Sequence, residues 1–484
     1  MDQMRSDPPA ASPDLPAALA ALRSVLGPGD VLDPADPAAG FVRDERGLLP
    51  ARPAAVLRPR DTAQVAAAVA VCARYAVPVV PFAGGTGLVG GAVPLGDREQ
   101  VVLSVRALDR IRSVDPADFA LTAEAGCIVA DVQQAAADAG LLFPLRLASE
   151  GSCRIGGTVA TNAGGSNVLR YGMTRELVLG LEAVLPDGRI WHGLRALRKD
   201  NTGYDLKQLL IGSEGTLGVV TAATLRLFPA PRHRAVALLA LPRLSVLTPL
   251  LACARDLLED RLSALELFTR TGVELLLAHV PGTRDPFGAR YPAYVLVEAT
   301  ATRDGTGLAA QLEEFLTEAT ERGLVTDAVP ALDHPQAQAL WALRESLPEA
   351  EKRAGGAVKH DVGVRLSAVA DFVTAAEERL TQRHPALRAN VFGHAGDGNV
   401  HVNVLANGLA SAGIDRAEVS ALVHQVVAEF GGSISAEHGI GVFKADALLA
   451  AKSPLELALL RTVKDALDPQ GIMNPGKMLL RRQS

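Results

Sequence analysis

Glycine is concentrated in three loops of the first half of the sequence, over residues 84–91, 148–172 and 207–218. Glycine lets a backbone approach a ligand closely and lets successive N–H groups converge on an anion. One such loop is typical of a structural turn or a strand edge. Three of them in one domain favour a ligand that has a diphosphate and two ring systems.

The first loop contains the G-x-G-x-x-G pattern of a dinucleotide site, at Gly85, Gly87 and Gly90. In a Rossmann fold this turn opens a helix whose N-terminus faces the pyrophosphate. Here the predicted helix, which Asp61 caps, precedes the strand, and the loop runs through Pro94 into another strand. The order of elements argues against a Rossmann fold. The density of glycines exceeds what one turn requires and favours a backbone nest for a diphosphate.

The composition is that of a soluble protein with two or three domains. The 484 residues are 48% hydrophobic and 21% charged, with a formal net charge of −6, so a nucleic-acid partner is not expected. No apolar run reaches the roughly 18 residues of a membrane span, and the opening residues are unlike a secretory signal. We therefore expect a cytoplasmic protein. Four cysteines form no CxxC pair and are expected to be small buried side chains: Cys72, Cys127, Cys153 and Cys253.

The pattern along the chain predicts four segments. Residues 1–49 are rich in proline, hold one helical stretch, and are expected to be an N-terminal appendage. Residues 50–230 alternate strands with glycine loops, and the PAPRHR run at their end is typical of a domain boundary. Residues 231–454 alternate strands and helices in an α+β manner. Residues 455–484 close the chain with a helix and a loop that contains Pro and Gly.

The second half holds three histidines and a glutamate in two short motifs. His394 and His401 flank a Gly-Asp-Gly-Asn turn, where a hairpin would bring both imidazoles together, and Asn403 shares a strand face with His401. Glu437 and His438 follow one another in SAEHG. Two His and one Glu suit a divalent transition metal with positions left open for a substrate. By spacing alone, structural histidines remain the alternative.

Two cationic residues are candidates for binding a carboxylate. Arg344 lies in a predicted helix and suits a bidentate contact, and Lys359 opens a predicted strand and supplies a compact charge. The alternative for Arg344 is an ion pair with Glu345 or Glu349 on a solvated helix face. The residues alone favour that ion pair.

Three segments resemble the FAD-contacting segments of the vanillyl-alcohol-oxidase/p-cresol-methylhydroxylase flavoprotein superfamily. They are PFAGGTGLVGGA, IGGTVATNAGGSNVLRYGMTRELVLGLEAVLPDGRI and LLIGSEGTLGVVTAATLRL. GHAGDGNVHVN and SAEHGIG resemble the substrate-site motifs of its D-2-hydroxyacid dehydrogenase branch. That branch includes D-lactate dehydrogenase, the glycolate oxidase flavoprotein subunit and D-2-hydroxyglutarate dehydrogenase. The resemblance covers residues from about 50 to 478.

The resemblance implies an α+β fold and bound FAD. A two-subdomain FAD-binding domain of the p-cresol-methylhydroxylase type would precede an α+β substrate (cap) domain, and a C-terminal segment would return to the flavin. Gly85 stands where many relatives have Asn, and the first loop offers no His or Cys for covalent attachment, so noncovalent FAD is expected, with Cys153 as the nearby thiol. The implied FAD contacts are Pro81, Gly84, Gly85, Thr86, Gly87, Leu88, Gly90, Gly91, Ser149, Gly156, Gly157, Thr158, Thr161, Asn162, Gly164, Gly165, Gly215, Gly218, Val219 and Asn474.

The resemblance also implies the reaction and its residues. A divalent metal, zinc or manganese, would assist hydride transfer from C2 of a D-2-hydroxy acid to flavin N5. D-2-hydroxyglutarate and D-lactate are the expected substrates. An electron-transferring flavoprotein or a quinone is the expected electron acceptor, and a homodimer is a further expectation. The implied roles are metal ligands for His394, His401 and Glu437, general base for His438, and substrate contacts for Arg344, Lys359 and Asn403.

Two details bear on the substrate, and two alternatives stay open. D-2-hydroxyglutarate members have Thr one helical turn after the Arg, where this chain has Pro348, which weakens the dicarboxylate interpretation. The Lys-His-Asp run at 359–361 is closer to that subgroup than to the glycolate or lactate members.

The alternative functions are an FAD-dependent alcohol or sugar oxidase, which would lack the two His motifs, and a non-catalytic flavin-binding protein.

Overall fold

A computed structural model describes residues 14–36, 39, 42–95 and 100–479. Residues 1–13, over which a secretory signal is not expected, lie outside the described residues, as do the last five residues of the tail. Within the described chain, two sheets and a two-stranded ribbon build the first half, and a seven-stranded sheet builds the second.

The first sheet has the strand order β1-β2-β4-β3, and β2, β4 and β3 run parallel. Its helix α2 is capped by the Asp61 side chain, which accepts a hydrogen bond from the Gln64 N–H, as predicted. Between β3 and β4 the described residues form no helix, so the first glycine loop does not have Rossmann geometry. The elements are α1 (Leu15–Leu26), β1 (Val31–Leu32), β2 (Ala55–Leu57), α2 (Thr62–Arg74), β3 (Val79–Phe82) and β4 (Val101–Ser104).

Helix α1 and strand β1 are part of this first sheet and its core. Strand β1 pairs with β2, and Ala18, Leu22 and Leu26 of α1 are buried in the hydrophobic cluster that also contains α2 and β3. Gly27 ends the helix with φ of 91°, in the position predicted for its C-terminal cap. The segment that the sequence set apart as an appendage therefore supplies a helix and a strand to this core.

The second sheet is antiparallel, with the order β5-β6-β10-β8-β9. The second glycine segment, expected as a loop, contains short helices. Gly156 lies in the first turn of one of them, where a Cβ would lie 2.7 Å from the Ala125 Cβ, so glycine is required there. The elements are β5 (Ile111–Asp115), β6 (Ala120–Glu124), α3 (Val129–Asp138), β7 (Leu141–Leu142), α4 (Ile155–Thr161), α5 (Val168–Tyr171), α6 (Thr174–Leu177), β8 (Val178–Val184), β9 (Ile190–Gly193), α7 (Lys207–Leu210), β10 (Val219–Arg226) and β11 (Phe228–Pro229), with β7 and β11 forming the ribbon.

The third sheet is antiparallel throughout, with the order β15-β12-β14-β13-β17-β18-β16. Its strands are β12 (His233–Leu241), β13 (Leu262–Thr269), β14 (Ala293–Ala301), β15 (Asp327–Pro330), β16 (Ala357–Gly363), β17 (Ala389–His394) and β18 (Asn399–Leu405). The helices that follow β12 along the chain are α8 (Leu247–Leu258), α9 (Arg270–His279), α10 (Gly305–Glu321), α11 (His334–Glu345), α12 (Leu347–Arg353), α13 (Val369–Arg383), α14 (Ala406–Ala412), α15 (Arg416–Glu429), α16 (Ala445–Ala451) and α17 (Pro454–Leu467). Short 3-10 turns are Pro28–Asp30, Leu244–Val246, Glu259–Arg261 and Leu366–Ala368.

The C-terminal segment returns to the first sheet. Met473 forms a parallel bridge with Val79, and the Asn474 N–H donates to the Val79 carbonyl over 2.7 Å. The buried Asp468 carboxylate accepts from the N–H groups of Ile472 and Met473 and so fixes the tail. The fold is thus the α+β arrangement that the motifs imply, with the tail beside the first glycine loop.

Two further features concern the cysteines and the lengths of the helices. All four cysteines are buried and unpaired. In the described chain, every helix is too short or too polar to cross a membrane.

The packing of α1 generates a stability prediction. Leu22→Ala should lower the free energy of unfolding by roughly 2–5 kcal/mol, because it removes a fully buried side chain and leaves a cavity. Val25→Ala, on the exposed side of the same helix, should change it by only about 0.5 kcal/mol. Urea unfolding followed by circular dichroism measures both. Equal stability of the Leu22 variant and the wild type would show that α1 lies outside the core.

Candidate active site

One cavity of about 1290 Å³ joins the glycine loops of the first half to the histidine motifs of the second. From the second half of the chain, the residues that line it include Arg344, Lys359, His394, His401, Asn403, Glu437 and His438. The residues expected to contact FAD that also line it are Pro81, Gly84, Gly85, Thr86, Gly87, Leu88, Gly91, Ser149, Gly156, Gly157, Thr158, Thr161, Gly164, Gly165, Gly215, Gly218 and Val219. The structure therefore brings the predicted cofactor and substrate residues to one continuous space.

Three residues expected to contact FAD do not line this cavity. Gly90 turns the first loop with φ of 72°. Asn162 ends α4 in the left-handed region, and its side chain accepts from the Arg175 N–H. Asn474 lies behind the lining and donates through Nδ2 to the carbonyls of Gly91 and Glu214. These residues shape the loops that form the wall.

The cavity wall fits a flavin dinucleotide. In the part of the chain that the structure describes, no N–H group from Gly84 to Gly91 donates a hydrogen bond, which leaves this row available to a diphosphate. The buried Oδ1 of Asn474 likewise has no partner among the described residues. A Cβ on Gly84 would lie 2.9 Å from the Cys153 Cα, so the close approach of these loops requires glycine. Burial raises the pKa of the Cys153 thiol, which disfavours its reactive thiolate form.

The three expected metal ligands converge. His394, His401 and Glu437 each offer a ligand atom within 4.8 Å of the others, and His394 Nε2 lies 3.8 Å from Glu437 Oε1. The same Glu437 oxygen accepts from the Gly165 N–H over 2.6 Å. A Cβ on Gly164 would lie 2.3 Å from it, so glycine is required there. Two imidazoles and a carboxylate at these separations fit a divalent transition metal.

The β17–β18 hairpin and its neighbours supply these side chains, as the sequence predicts. Strand β17 ends at His394, and β18 returns antiparallel through His401 and Asn403. The rings of His394 and His401 lie 5.9 Å apart between centroids. The cross-strand register places Glu266 opposite His394 and Asp361 opposite His401.

Glu266 is a buried carboxylate that holds two groups of the site. His394 Nδ1 lies 2.6 Å from its Oε1, and Arg344 Nε donates to its Oε2 over 2.9 Å. Burial alone would lower the pKa of His394, but the Glu266 charge raises it to about 9. Burial opposes ionisation of Glu266, and His394 with Arg344 lowers the pKa of its carboxyl overall. Because Nδ1 faces Glu266, Nε2 is turned toward Glu437 and the metal position.

Asp361 is a second buried carboxylate, and it faces the other two imidazoles. Its Oδ1 lies 3.8 Å from His401 Nδ1, and its Oδ2 lies 3.7 Å from His438 Nδ1. Its Oδ2 also accepts from the N–H groups of Glu437 and His438. Burial would raise the pKa of Asp361, but His438, His401 and Lys444 lower it overall. The Asp361 charge therefore lies near Nδ1 of both rings, too far for a hydrogen bond, and its hydrogen bonds hold the backbone of Glu437 and His438.

The pKa values of these two imidazoles move in the opposite direction from that of His394. Burial lowers the pKa of His438, and Asp361 only partly opposes this effect. Burial also lowers the pKa of His401, with His438 and His394 adding to the lowering. His438 is therefore neutral near pH 7 and can accept a proton.

Glu351 is the third buried carboxylate behind the cavity. It accepts from Nδ2 of Asn403 and Asn390, each over 2.8 Å, and its Oε2 lies 3.5 Å from Lys359 Nζ. Burial raises the pKa of Glu351, against the lowering effects of Lys359 and the two asparagines. Lys359 and Asn403 both line the cavity, whereas Glu351 does not.

The expectation of a solvated ion pair for Arg344 is wrong. Arg344 is buried and pairs with Glu266, whereas Glu345 pairs with Arg146 and Glu349 with Arg353. Arg344 lines the cavity. In the described chain, its two Nη groups have no hydrogen-bond partner. Its outer edge is thus free to bind a carboxylate.

Glu214 links the two halves of the chain at the cavity. Its two carboxylate oxygens accept from the N–H groups of Ile440 and Gly441, each over 2.7 Å, which fixes the loop that carries Glu437 and His438. Burial raises the pKa of its carboxyl. Glu214 lines the cavity from the third glycine loop.

Glu214, Glu266 and Glu351 are not predicted from the sequence, in which Asp361 stands out only as part of the Lys-His-Asp run. Glu266 had a usable signal, because it is the single acidic residue within the apolar strand Leu262–Thr269. A charge in the middle of a buried strand is rare unless it is paired. Glu351 had no such signal, since it sits in a short helix with other charged residues.

Two family models match the chain, and named relatives are similar to it over most of its length. A model of the FAD binding domain family matches residues 53–193, and a model of the C-terminal domain of FAD linked oxidases matches residues 230–478. The D-2-hydroxyglutarate dehydrogenase of Xanthomonas citri pv. viticola is 42% identical over 431 residues, which cover 88% of this chain and 89% of that protein. The mitochondrial D-2-hydroxyglutarate dehydrogenase of Bos taurus is 40% identical over 466 residues, covering 95% and 83%.

The fold is also that of a solved flavoprotein. The crystal structure of p-cresol methylhydroxylase with substrate bound superposes with a TM-score of 0.76, at 17% identity, over 97% of this chain and 98% of that one. The cavity, the family matches and the relatives all agree with the motifs in the sequence. The chain therefore belongs to the family of FAD-linked oxidases, in the D-2-hydroxyacid dehydrogenase branch that its motifs resemble, and is an FAD-linked oxidoreductase.

Proposed function

We propose that this protein oxidises D-2-hydroxyglutarate to the 2-oxo acid with FAD and a divalent metal. The observation that carries the proposal is the single cavity in which the glycine loops meet His394, His401, Glu437, His438 and Arg344. The names of the relatives from Xanthomonas citri and Bos taurus support the same substrate.

Each group of the cavity has a role in this reaction. The glycine loops would hold FAD, which would supply the hydride acceptor that side chains cannot provide. His394, His401 and Glu437 would hold a divalent metal, which would lower the pKa of the substrate hydroxyl. His438 would remove the hydroxyl proton, because burial lowers the pKa of its ring and the Asp361 carboxylate lies on its Nδ1 side.

The two cationic residues support a dicarboxylate over D-lactate. If the metal position takes the hydroxyl and the first carboxylate, the free Nη edge of Arg344 and the Lys359 ammonium remain for a second carboxylate. Pro348, which replaces the expected Thr, also lines the cavity but offers no donor. That substitution is the observation in favour of D-lactate, the second candidate.

The paired histidine motifs argue against an alcohol or sugar oxidase, and a non-catalytic flavin-binding protein would not need them.

An electron-transferring flavoprotein or a quinone is the proposed electron acceptor, because the family resemblance implies electron transfer to such a carrier. The cytoplasmic location, noncovalent attachment of FAD and the homodimer stay predictions.

The first prediction concerns the reaction itself. Under anaerobic conditions, D-2-hydroxyglutarate should bleach the flavin absorbance of the purified protein within seconds, and its L-enantiomer should not. D-lactate, glycolate and D-malate serve as comparison substrates. Prior treatment with a chelator should abolish bleaching and readdition of zinc or manganese should restore it. A yellow, metal-loaded protein that none of these acids bleaches would contradict the proposal.

The second prediction separates base from metal ligand. His438→Ala should keep FAD and metal but slow flavin reduction by about 10²- to 10⁴-fold, the usual contribution of a general base. Glu437→Gln should lose bound metal as well as activity, because it removes the anionic ligand. Absorbance and elemental analysis measure the two contents, and stopped-flow absorbance measures the rate. Normal reduction rates in both variants would mean that the site is assigned wrongly.

The third prediction tests the second carboxylate. Arg344→Met should raise KM for D-2-hydroxyglutarate by about 10- to 100-fold, because it removes hydrogen bonds to a charged group. Its effect on D-lactate, which lacks the second carboxylate, should be several-fold smaller. Arg353→Met, on the neighbouring helix α12 and paired only at the surface, is the control. Equal losses for both acids would assign Arg344 to the first carboxylate instead.

A further inference from the structure

Glu351 is fully buried, lies outside the cavity lining, and takes no part in the proposed chemistry. Its environment is nonetheless built around its charge. Three nitrogen-bearing side chains converge on its two oxygens: those of Asn390, Asn403 and Lys359. Donors on both oxygens are the surroundings of an ionised carboxylate, which only accepts hydrogen bonds.

The sheet explains why these three side chains meet. Lys359 on β16 is the cross-strand partner of Asn403 on β18, and Asn403 is the partner of Asn390 on β17. Cross-strand partners project from the same face of a sheet. The three residues therefore form one row across three strands, and Glu351 of α12 lies against that row. Two of the three, Lys359 and Asn403, reach the cavity.

The contacts fix which atom Asn403 offers to the cavity. Its Nδ2 lies 2.8 Å from Glu351 Oε1 and 3.1 Å from Oε2. A carboxylate can only face the NH₂ side of an amide, so the carbonyl Oδ1 is turned the other way. Among the described residues this Oδ1 has no hydrogen-bond partner and is not a buried atom. Asn403 therefore presents an acceptor rather than a donor.

We propose that Glu351 is a positioning residue for the substrate. It fixes the Asn403 amide with its carbonyl toward the cavity, and it holds the Lys359 ammonium on the same side for a substrate carboxylate. This inference rests on the proposed function and deepens it, because it predicts that a hydroxy acid binds in one orientation between these two groups. Without the carboxylate, the Asn403 amide is free to rotate and Lys359 loses its buried counter-charge.

The test compares Glu351→Gln with Glu349→Gln, a change of the same kind at an exposed position of the same helix. Glu351→Gln should raise KM for D-2-hydroxyglutarate by about tenfold, the loss expected for one hydrogen bond to a charged group, with kcat within about threefold of wild type. It should retain FAD and metal. The Kd of the product, 2-oxoglutarate, measured by calorimetry, should rise by a similar factor, because the product carries the same two carboxylates. Glu349→Gln should match the wild type in all of these quantities.

A coupling experiment distinguishes positioning from a structural role. In an Asn403→Ala, Lys359→Met background, Glu351→Gln should change KM by less than about twofold, because the groups that it positions are gone. An undiminished KM effect in that background would overturn the proposal, since the loss would then come from general disorder of the site. If Glu351→Gln fails to fold, Glu351→Asp, which keeps the charge on a shorter side chain, serves in both backgrounds with a smaller expected rise.

The outcomes also separate this inference from the proposed function. A wild type that reduces its flavin with a D-2-hydroxy acid, together with an unchanged KM in the Glu351 variants, overturns the inference alone. A wild type that no hydroxy acid reduces overturns both.

Discussion

The site depends on buried carboxylates that are each paired with two groups of the cavity. Glu266 holds His394 and Arg344, and Glu351 holds Asn403 and Lys359. Asp361 lies near Nδ1 of His401 and His438 and accepts from the His438 backbone N–H. A buried carboxylate without partners costs several kcal/mol, so each one fixes the donors around it. The side chains that face the cavity are therefore held from behind, before any ligand arrives.

The second constraint is that the cavity needs both halves of the chain. Glu437 comes from the second half but hydrogen-bonds the Gly165 N–H of the second glycine segment, and Glu214 of the third glycine loop holds the loop that follows Glu437. The glycines at these points permit the approach, since a Cβ on Gly164 or Gly439 would collide with Glu437 or Glu214. The same residue type that opens space for a dinucleotide thus also lets the two halves close around one site.

The sequence predicted the features that depend on neighbouring residues. Asp61 caps its helix, and the turn after His394 reverses the strand so that His401 and Asn403 share a face, because each depends on residues only a few positions apart. The family motifs added the glycine loops and the returning tail. The partner of Arg344 could not be predicted in this way. Local spacing favoured Glu345 or Glu349, whereas the sheet order places Glu266, 78 residues away, beside it.

The three carboxylates give different chemistry because they face different partners. Glu266 lies against a guanidinium and one imidazole, so its charge raises the pKa of His394, which would strengthen that ring in its proposed role as a metal ligand. Asp361 is shared between two imidazoles and backbone N–H groups, so burial prevails and His438 stays neutral, as a base requires. Glu351 faces two amides, which do not titrate, and the Lys359 ammonium, so its effect is orientation. In the proposed function, buried carboxylates thus suit His394 to a ligand role, His438 to a base role, and Asn403 with Lys359 to substrate binding, according to the side chain that each carboxylate faces.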